Sequence, residues 1–115
     1  MRCRAKLWAT DAVADRAADL VEAINVHPDP VTERRRGEAA VVITAAKQRA
    51  VDTGLEIDPR VFDVTGARAT ANTVGLDIFW RNIRTHGLHD PLAHKRAEVG
   101  RYALLDEVPE PTWYT

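Results

Sequence analysis

Residues 75–91 read G-L-D-I-F-W-R-N-I-R-T-H-G-L-H-D-P. Leu76, Phe79, Trp80 and Ile83 recur at i, i+3, i+4 and i+7, the spacing of one face of an α-helix. Asp77, Arg81 and Arg84 fall on the other side, where a wet face and a pairing of arginine with Asp77 one turn away account for them. Asn82 and His86 border the apolar stripe. The helix is expected over Gly75–His86, and Gly87 then predicts a break, since glycine commonly closes a helix. His89 is expected in the loop that follows. Asp90-Pro91 has the form of an N-cap and a proline in the first helical position, opening the next helix. Two imidazoles are therefore expected where one helix ends and another begins, a place where side chains converge. Phe79 and Trp80 are expected in the core.

Working outward, every segment is helical in character. Residues 2–26 carry an apolar stripe of Val13, Ala17, Leu20, Val21 and Ile24, closed by His27-Pro28-Asp29-Pro30, because proline cannot continue the hydrogen-bond ladder. Thr32 is placed to cap a second helix, whose stripe is Ala39, Val42, Ile43, Ala46 and Ala50. Gly54 weakens it. Asp58-Pro59 predicts a kink with Asp58 as cap, and a kinked continuation to about Thr65. Gly66 reads as a C-terminal cap and residues 67–73 as a loop. Residues 90–105 form the last helix and 107–115 an extended tail with two prolines, in which Trp113 and Tyr114 need cover. No segment alternates at period two. The expected fold is all-α: an antiparallel, up-and-down four-helix bundle with an extended C-terminal tail.

The chain has 115 residues, 45 % of them hydrophobic, and a formal net charge of −1. That length suits one domain, and the charge balance argues against a nucleic-acid or membrane-surface role despite Arg34-Arg35-Arg36. The single cysteine, Cys3, excludes an internal disulfide framework and fits a reducing cytoplasm. No window reaches the roughly 20 apolar residues of a membrane span, and the basic Met1-Arg2-Cys3-Arg4 is followed by no apolar secretory core.

Taken together, R-N-I-R-T-H-G-L-H-D-P (residues 81–91), K-R-A-E-V-G-R-Y-A-L (95–104) and the terminal P-E-P-T-W-Y (109–114) resemble the C-terminal end of the acyl-CoA dehydrogenase superfamily. They come nearest to flavin-dependent monooxygenases of the dibenzothiophene monooxygenase type. The likeness is dense over residues 66–115 and looser before. Gly87, where the family tends to carry threonine, and His94, where an aromatic is common, depart from it. The resemblance implies the superfamily's C-terminal helical domain over 1–115, without its N-terminal helical and middle β-domains. It implies an oxidoreductase using reduced FMN supplied by a flavin reductase, or FAD, on an aromatic or sulfur-containing compound. Homo-oligomerisation or partnership with the missing domains is expected, with neither tight flavin binding nor activity by this chain alone.

Oxygen activated on reduced flavin needs a hydrogen-bond donor and a dry pocket. Histidine donates, accepts and titrates near neutral pH, and by resemblance His89 carries the active-site role, with His86 its neighbour. Dehydrogenases proper place a catalytic glutamate in this region, within Y-E-G-T; here T-H-G-L-H-D has none, which leaves a dehydrogenase fragment, or a non-catalytic helical module, as the alternative. Read from the residues alone, the histidines fit better as a helix-end pair bonding the backbone; the resemblance reverses that for His89, less so for His86. Gly66-Ala67-Arg68-Ala69-Thr70 offers backbone N–H groups, a guanidinium and a hydroxyl to a phosphate, and the resemblance implies Arg68 and Thr70 as flavin contacts. An ordinary helix-ending turn explains the same residues. Asn82 either bonds a loop carbonyl or lines the pocket. His86 and His89 with Asp90 also have the look of metal ligands, but a break between them and a family that uses no metal argue for none.

Overall fold

The structure is a computed structural model that describes residues 2–89 and 92–112. The expected cap at Asp90-Pro91 and the terminal aromatics Trp113 and Tyr114 lie outside the described residues. Five α-helices follow in order: α1 (Arg2–Asn25), α2 (Glu33–Ile57), the short α3 (Val61–Thr65), α4 (Asp77–His89) and α5 (Leu92–Leu105). One 3₁₀ turn, Asp58–Arg60, joins α2 to α3, and another, Ala67–Thr70, follows α3. The described residues form no strand. The all-α class expected from the missing period-two alternation holds, with four long helices.

Helix α2 is the axis. Its start is fixed by Thr32, whose hydroxyl accepts a hydrogen bond from the Arg35 amide at 3.2 Å, as expected of an N-cap. Its neighbours α1, α4 and α5 all pack on it, so it buries residues on several sides: Ala39, Val41, Thr44, Val51 and Thr53. The single stripe expected for α2 therefore differs from what is found, and Ile43 is exposed. A helix with neighbours on three sides shows no clean apolar stripe.

Helix α1 runs antiparallel to α2. Lys6 pairs with Glu56, and the Thr10 and Thr53 hydroxyls meet at 3.1 Å. Ala17 is its buried residue. Helices α4 and α5 both run antiparallel to α2 and divide its length. Gly54 and Val51 face Ile83 and Gly87 of α4. Further along, Asp52 pairs with Arg96 at 2.6 Å, and the Arg34 guanidinium sits 5.9 Å from the Tyr102 ring of α5. The result is elongated, 56 × 25 × 24 Å.

Helix α2 gives way to the Asp58–Arg60 turn with Pro59 inside it, the expected kinked continuation to Thr65. Asp58 does not cap it with its side chain; it keeps helical geometry, and its amide bonds the Gly54 carbonyl. Gly66 closes α3 through its amide to the Phe62 carbonyl at 2.9 Å, at φ 79° and ψ 175°. That backbone region is essentially reserved for glycine.

Three expectations for α4 are corrected. The helix starts at Asp77 rather than Gly75, because Gly75 has φ 70° and stands outside helical geometry. Gly87 does not break it: it is buried inside α4, which continues to His89. The missing side chain serves approach, not flexibility. Phe79 and Trp80 are not core either, at 57 % and 47 % exposed. Of the stripe, Ile83 is half-buried and reaches α2.

Candidate functional site

Continuity of α4 through Gly87 decides where the imidazoles stand. Asn82, His86 and His89 follow one another at i, i+4 and i+7 on one unbroken helix, so they form a single flank of α4. Ile78 and Phe79 begin the same flank one turn earlier. His89 is the last residue of the helix, not a loop residue. All five are exposed. The flank is apolar at its start, carries an amide in the middle and two imidazoles at its end. Among the described residues neither imidazole makes a hydrogen bond or ion pair, so both have ring nitrogens available to a ligand or a further polypeptide surface.

The opposite flank of α4 behaves differently. Arg84 and Leu88, with Ile83, Gly87, Val51, Leu92 and Ala93, line a cleft of about 260 Å³ between α2, α4 and the start of α5. The histidines do not line it. Arg84 was legible only as a wet-face arginine; its spacing of four from Leu88 was the available signal that it borders an apolar lining. Arg81, by contrast, does what the sequence indicates, with its Nε 2.7 Å from an Asp77 carboxylate oxygen. That bond is the main reason the Asp77 carboxyl lies below its ordinary range.

Arg68 and Thr70 are exposed on the 3₁₀ turn after Gly66, which packs on α3. The Thr70 hydroxyl donates to the Ala67 carbonyl at 2.7 Å, which fixes the turn. Ala69, between them, is buried and anchors the turn. The structure thus assembles Asn82, His86 and His89 on one surface and sets Arg68 and Thr70 on another element. Among the described residues no group of three or more His, Cys, Asp or Glu could hold a metal ion. No helix is long and apolar enough to cross a membrane.

Whether these residues suit a flavin can be judged on size and chemistry. A ligand of that size is normally buried for most of its surface in a pocket of roughly 300–1,000 Å³. The α4 cleft is smaller, and the histidine flank is open on its outer side. The donors present — two imidazoles, an amide, a guanidinium and a hydroxyl — fit the edge and phosphate of such a cofactor, but supply only one wall.

Residues 2–93 match the family model for the acyl-CoA dehydrogenase C-terminal domain. A dibenzothiophene monooxygenase of Mycolicibacterium goodii is 46 % identical over 106 residues, which is 92 % of this chain and 26 % of that protein. A probable FMNH2-dependent monooxygenase, SfnC, of Pseudomonas putida is 42 % identical over 101 residues, 88 % of this chain and 26 % of that protein. The FMN-bound structure of TdsC from Paenibacillus sp. A11-2 superposes with a TM-score of 0.91 at 36 % identity, over 99 % of this chain and 28 % of that one. Methanesulfinate monooxygenase MsuC from Pseudomonas fluorescens gives 0.91 at 40 % identity, over 96 % and 29 %. The chain spans about a quarter of the length of the curated relatives it matches.

Proposed function

The chain belongs to the acyl-CoA dehydrogenase C-terminal domain family, and from that premise we propose that it forms the helical wall of the active site in a reduced-flavin-dependent monooxygenase. The observation that carries this reading is the α4 flank. It places Asn82, His86 and His89 in line on a surface that nothing in the described chain covers. The likeness to FMN-bound TdsC and to an FMNH2-dependent monooxygenase supports FMN as the cofactor. The names of the relatives support an aromatic sulfur heterocycle or a small organosulfur compound as substrate.

When bound, reduced FMN supplies the two electrons that activate oxygen, one atom of which enters the substrate and the other leaves as water. The residues of this chain would do the positioning. His89, at the end of α4, holds or delivers a proton at an imidazole nitrogen, which suits a general acid. His86, one turn earlier, orients or backs it. Asn82 offers an amide donor and acceptor further along the same flank. Arg68 and Thr70 would meet a phosphate, and from their separate element that phosphate need not belong to the flavin held by α4; a neighbouring subunit's flavin suits their position equally. Ile78 and Phe79 exclude water once a second surface covers them.

The remaining walls would come from N-terminal helical and middle β-domains and from neighbouring copies, with a separate reductase supplying the flavin. The single wall also explains why this chain alone is expected to bind FMN no more tightly than the micromolar range. The test is a chimaera in which this chain replaces the matching quarter of the M. goodii relative, given reductase-supplied FMNH2 and an organosulfur substrate. Oxygenated product is the expected result. A folded, FMN-binding chimaera that oxidises acyl-CoA thioesters instead, or that only reduces oxygen to hydrogen peroxide, overturns the proposal.

A further inference from the structure

The segment after α5 is held by a set of contacts that the active-site reading does not use. Asp106 ends α5 with its amide on the Tyr102 carbonyl at 3.0 Å and its backbone at φ 57°, a left-handed conformation that Asp tolerates better than most residues. Its carboxylate takes a two-pronged pair from Arg34, with Nη2 to Oδ1 at 2.6 Å and Nη1 to Oδ2 at 3.0 Å. Arg34 is itself braced by Glu38 at 2.7 Å and lies over the Tyr102 ring. Glu107 pairs with Arg101 at 3.0 Å, and Arg36 donates to the Pro109 carbonyl at 2.9 Å. Val108 lies directly on Gly37: a Cβ built there would fall 2.5 Å from the Val108 Cβ. Residues 107–110 and 112, with Glu98 and Arg101, then wall a cleft of about 520 Å³.

These contacts have one arrangement in common. They come from one short extended segment, and they end on the first turns of α2 and the last turns of α5. The segment contributes no residue to the buried core, and its pairs are exposed at Arg34 and Asp106. Each pair alone is weak in water. The seat at Gly37 is steric, and the chain enters through a single hinge residue.

We propose that residues 106–110 form a strap that docks on α2 and detaches from it as a unit while the helices stay folded. Arg34 and Asp106 are its latch and Gly37 is its seat. The cleft beside α5 exists only in the docked state, so strap and cleft open together. Screening of the latch makes detachment more frequent at high salt.

A glutamate-specific endoprotease tests this on the full chain, through cleavage of the Glu107–Val108 bond, normalised to a free peptide of the same sequence. When reclosing is fast, cleavage follows the population of the open form. Gly37→Ala removes the seat yet raises helix propensity within α2, so loosening of the strap and loosening of the helix carry opposite signs. Asp106→Asn keeps the tolerance for positive φ and removes the charge. Both variants are expected to be cut about three- to tenfold faster than the wild-type chain, with unchanged helical circular dichroism. Molar salt should accelerate cleavage of the wild-type chain more than that of Asp106→Asn. Equal cleavage of all three proteins overturns the strap. So does loss of helical signal in Gly37→Ala, which would make the seat part of the bundle itself.

Discussion

Gly87 of α4 rests on Val51 of α2, so closely that a Cβ on residue 87 would lie 3.0 Å from the Val51 Cγ1. Val51 is only 4 % exposed. The helix that carries the imidazoles therefore meets the axis of the fold at a point where one partner has no side chain and the other has no room to move. A threonine at 87 would overpack this contact. Gly87→Thr is expected to cost about 1–3 kcal/mol of stability. The double variant with Val51→Ala should recover part of it, and thermal unfolding of the two proteins measures both effects. An unchanged melting temperature in Gly87→Thr would show that α4 can shift outward freely, and that Val51 does not set its position.

The glycines show how far a sequence speaks for itself. Gly37, Gly54 and Gly87 all lie inside helices; the sequence marks Gly54 as a weak point and Gly87 as a stop, and is silent on Gly37. In the structure each is a place of close approach, to Val108, Ile83 and Val51 respectively. Nothing local distinguishes a glycine that ends a helix from one that admits a neighbour; only the residue across the contact does. The same limit applies to Phe79 and Trp80. Periodicity named their face correctly, but a face is core only when something covers it, and the cover is not within the described chain. The helices themselves, the Thr32 cap, the Pro59 kink and the Asp77–Arg81 pair were legible because each depends on residues within one turn. Arg34-Arg35-Arg36 read as a basic patch, because the acids and carbonyls it holds lie about seventy residues away in the sequence.

Three carboxylates tie the fold to pH. Glu56 is held below its ordinary range chiefly by its hydrogen bond from Lys6, with Arg60 and Arg2 adding to it. Asp77 is lowered by Arg81 and Asp106 by Arg34. A carboxyl whose pKa is lowered by folding contributes stability that is present above the unfolded value, about 4, and is lost as pH falls through the folded value. Melting temperature should therefore be flat near neutrality and decline below about pH 4. Glu56→Gln should lower the neutral plateau and make the acid decline shallower, because its share is already gone. An acid decline as steep in Glu56→Gln as in the wild-type chain would remove the Lys6–Glu56 pair from the account.

The exposed apolar residues of α4 predict association. Ile78, Phe79 and Trp80 are exposed in succession within the first turn of α4, and Trp8 on α1 is 63 % exposed, with the Arg4 guanidinium 5.5 Å from its ring. Clusters of this kind on a single protein surface commonly mark interfaces. The isolated chain should self-associate as concentration rises, and the double variant Phe79→Glu, Trp80→Glu should shift it toward the monomer without loss of helical signal. Light scattering across a concentration series measures this. A wild-type chain that remains monomeric at high concentration would mean that this face stays stable in water without a partner.

The last prediction concerns His89. In the chimaera described above, His89 should stand beside the bound flavin at the end of α4, aligned with His86 and Asn82 by the unbroken helix. Its side chain is exposed in this chain and makes no hydrogen bond among the described residues, so its removal deletes a proton donor and little packing. His89→Ala should leave the melting temperature within about 0.5 kcal/mol of the parent in stability terms. Oxygenation should fall by roughly 10²–10⁴, the usual contribution of a general acid or base. Oxygen consumption should persist as hydrogen peroxide release, because oxygen still reacts with reduced flavin when proton delivery to the productive branch is lost. His86→Ala, one turn back along the flank, should reduce the rate less and leave coupling between oxygen consumed and product formed largely intact. Asn82→Ala should fall between them if the flank acts as a line of contacts. Normal turnover by a folded His89→Ala chimaera would reduce the imidazole to a helix-end residue. Equal losses at His86 and His89 would instead place the proton-bearing group between them, shared by both rings.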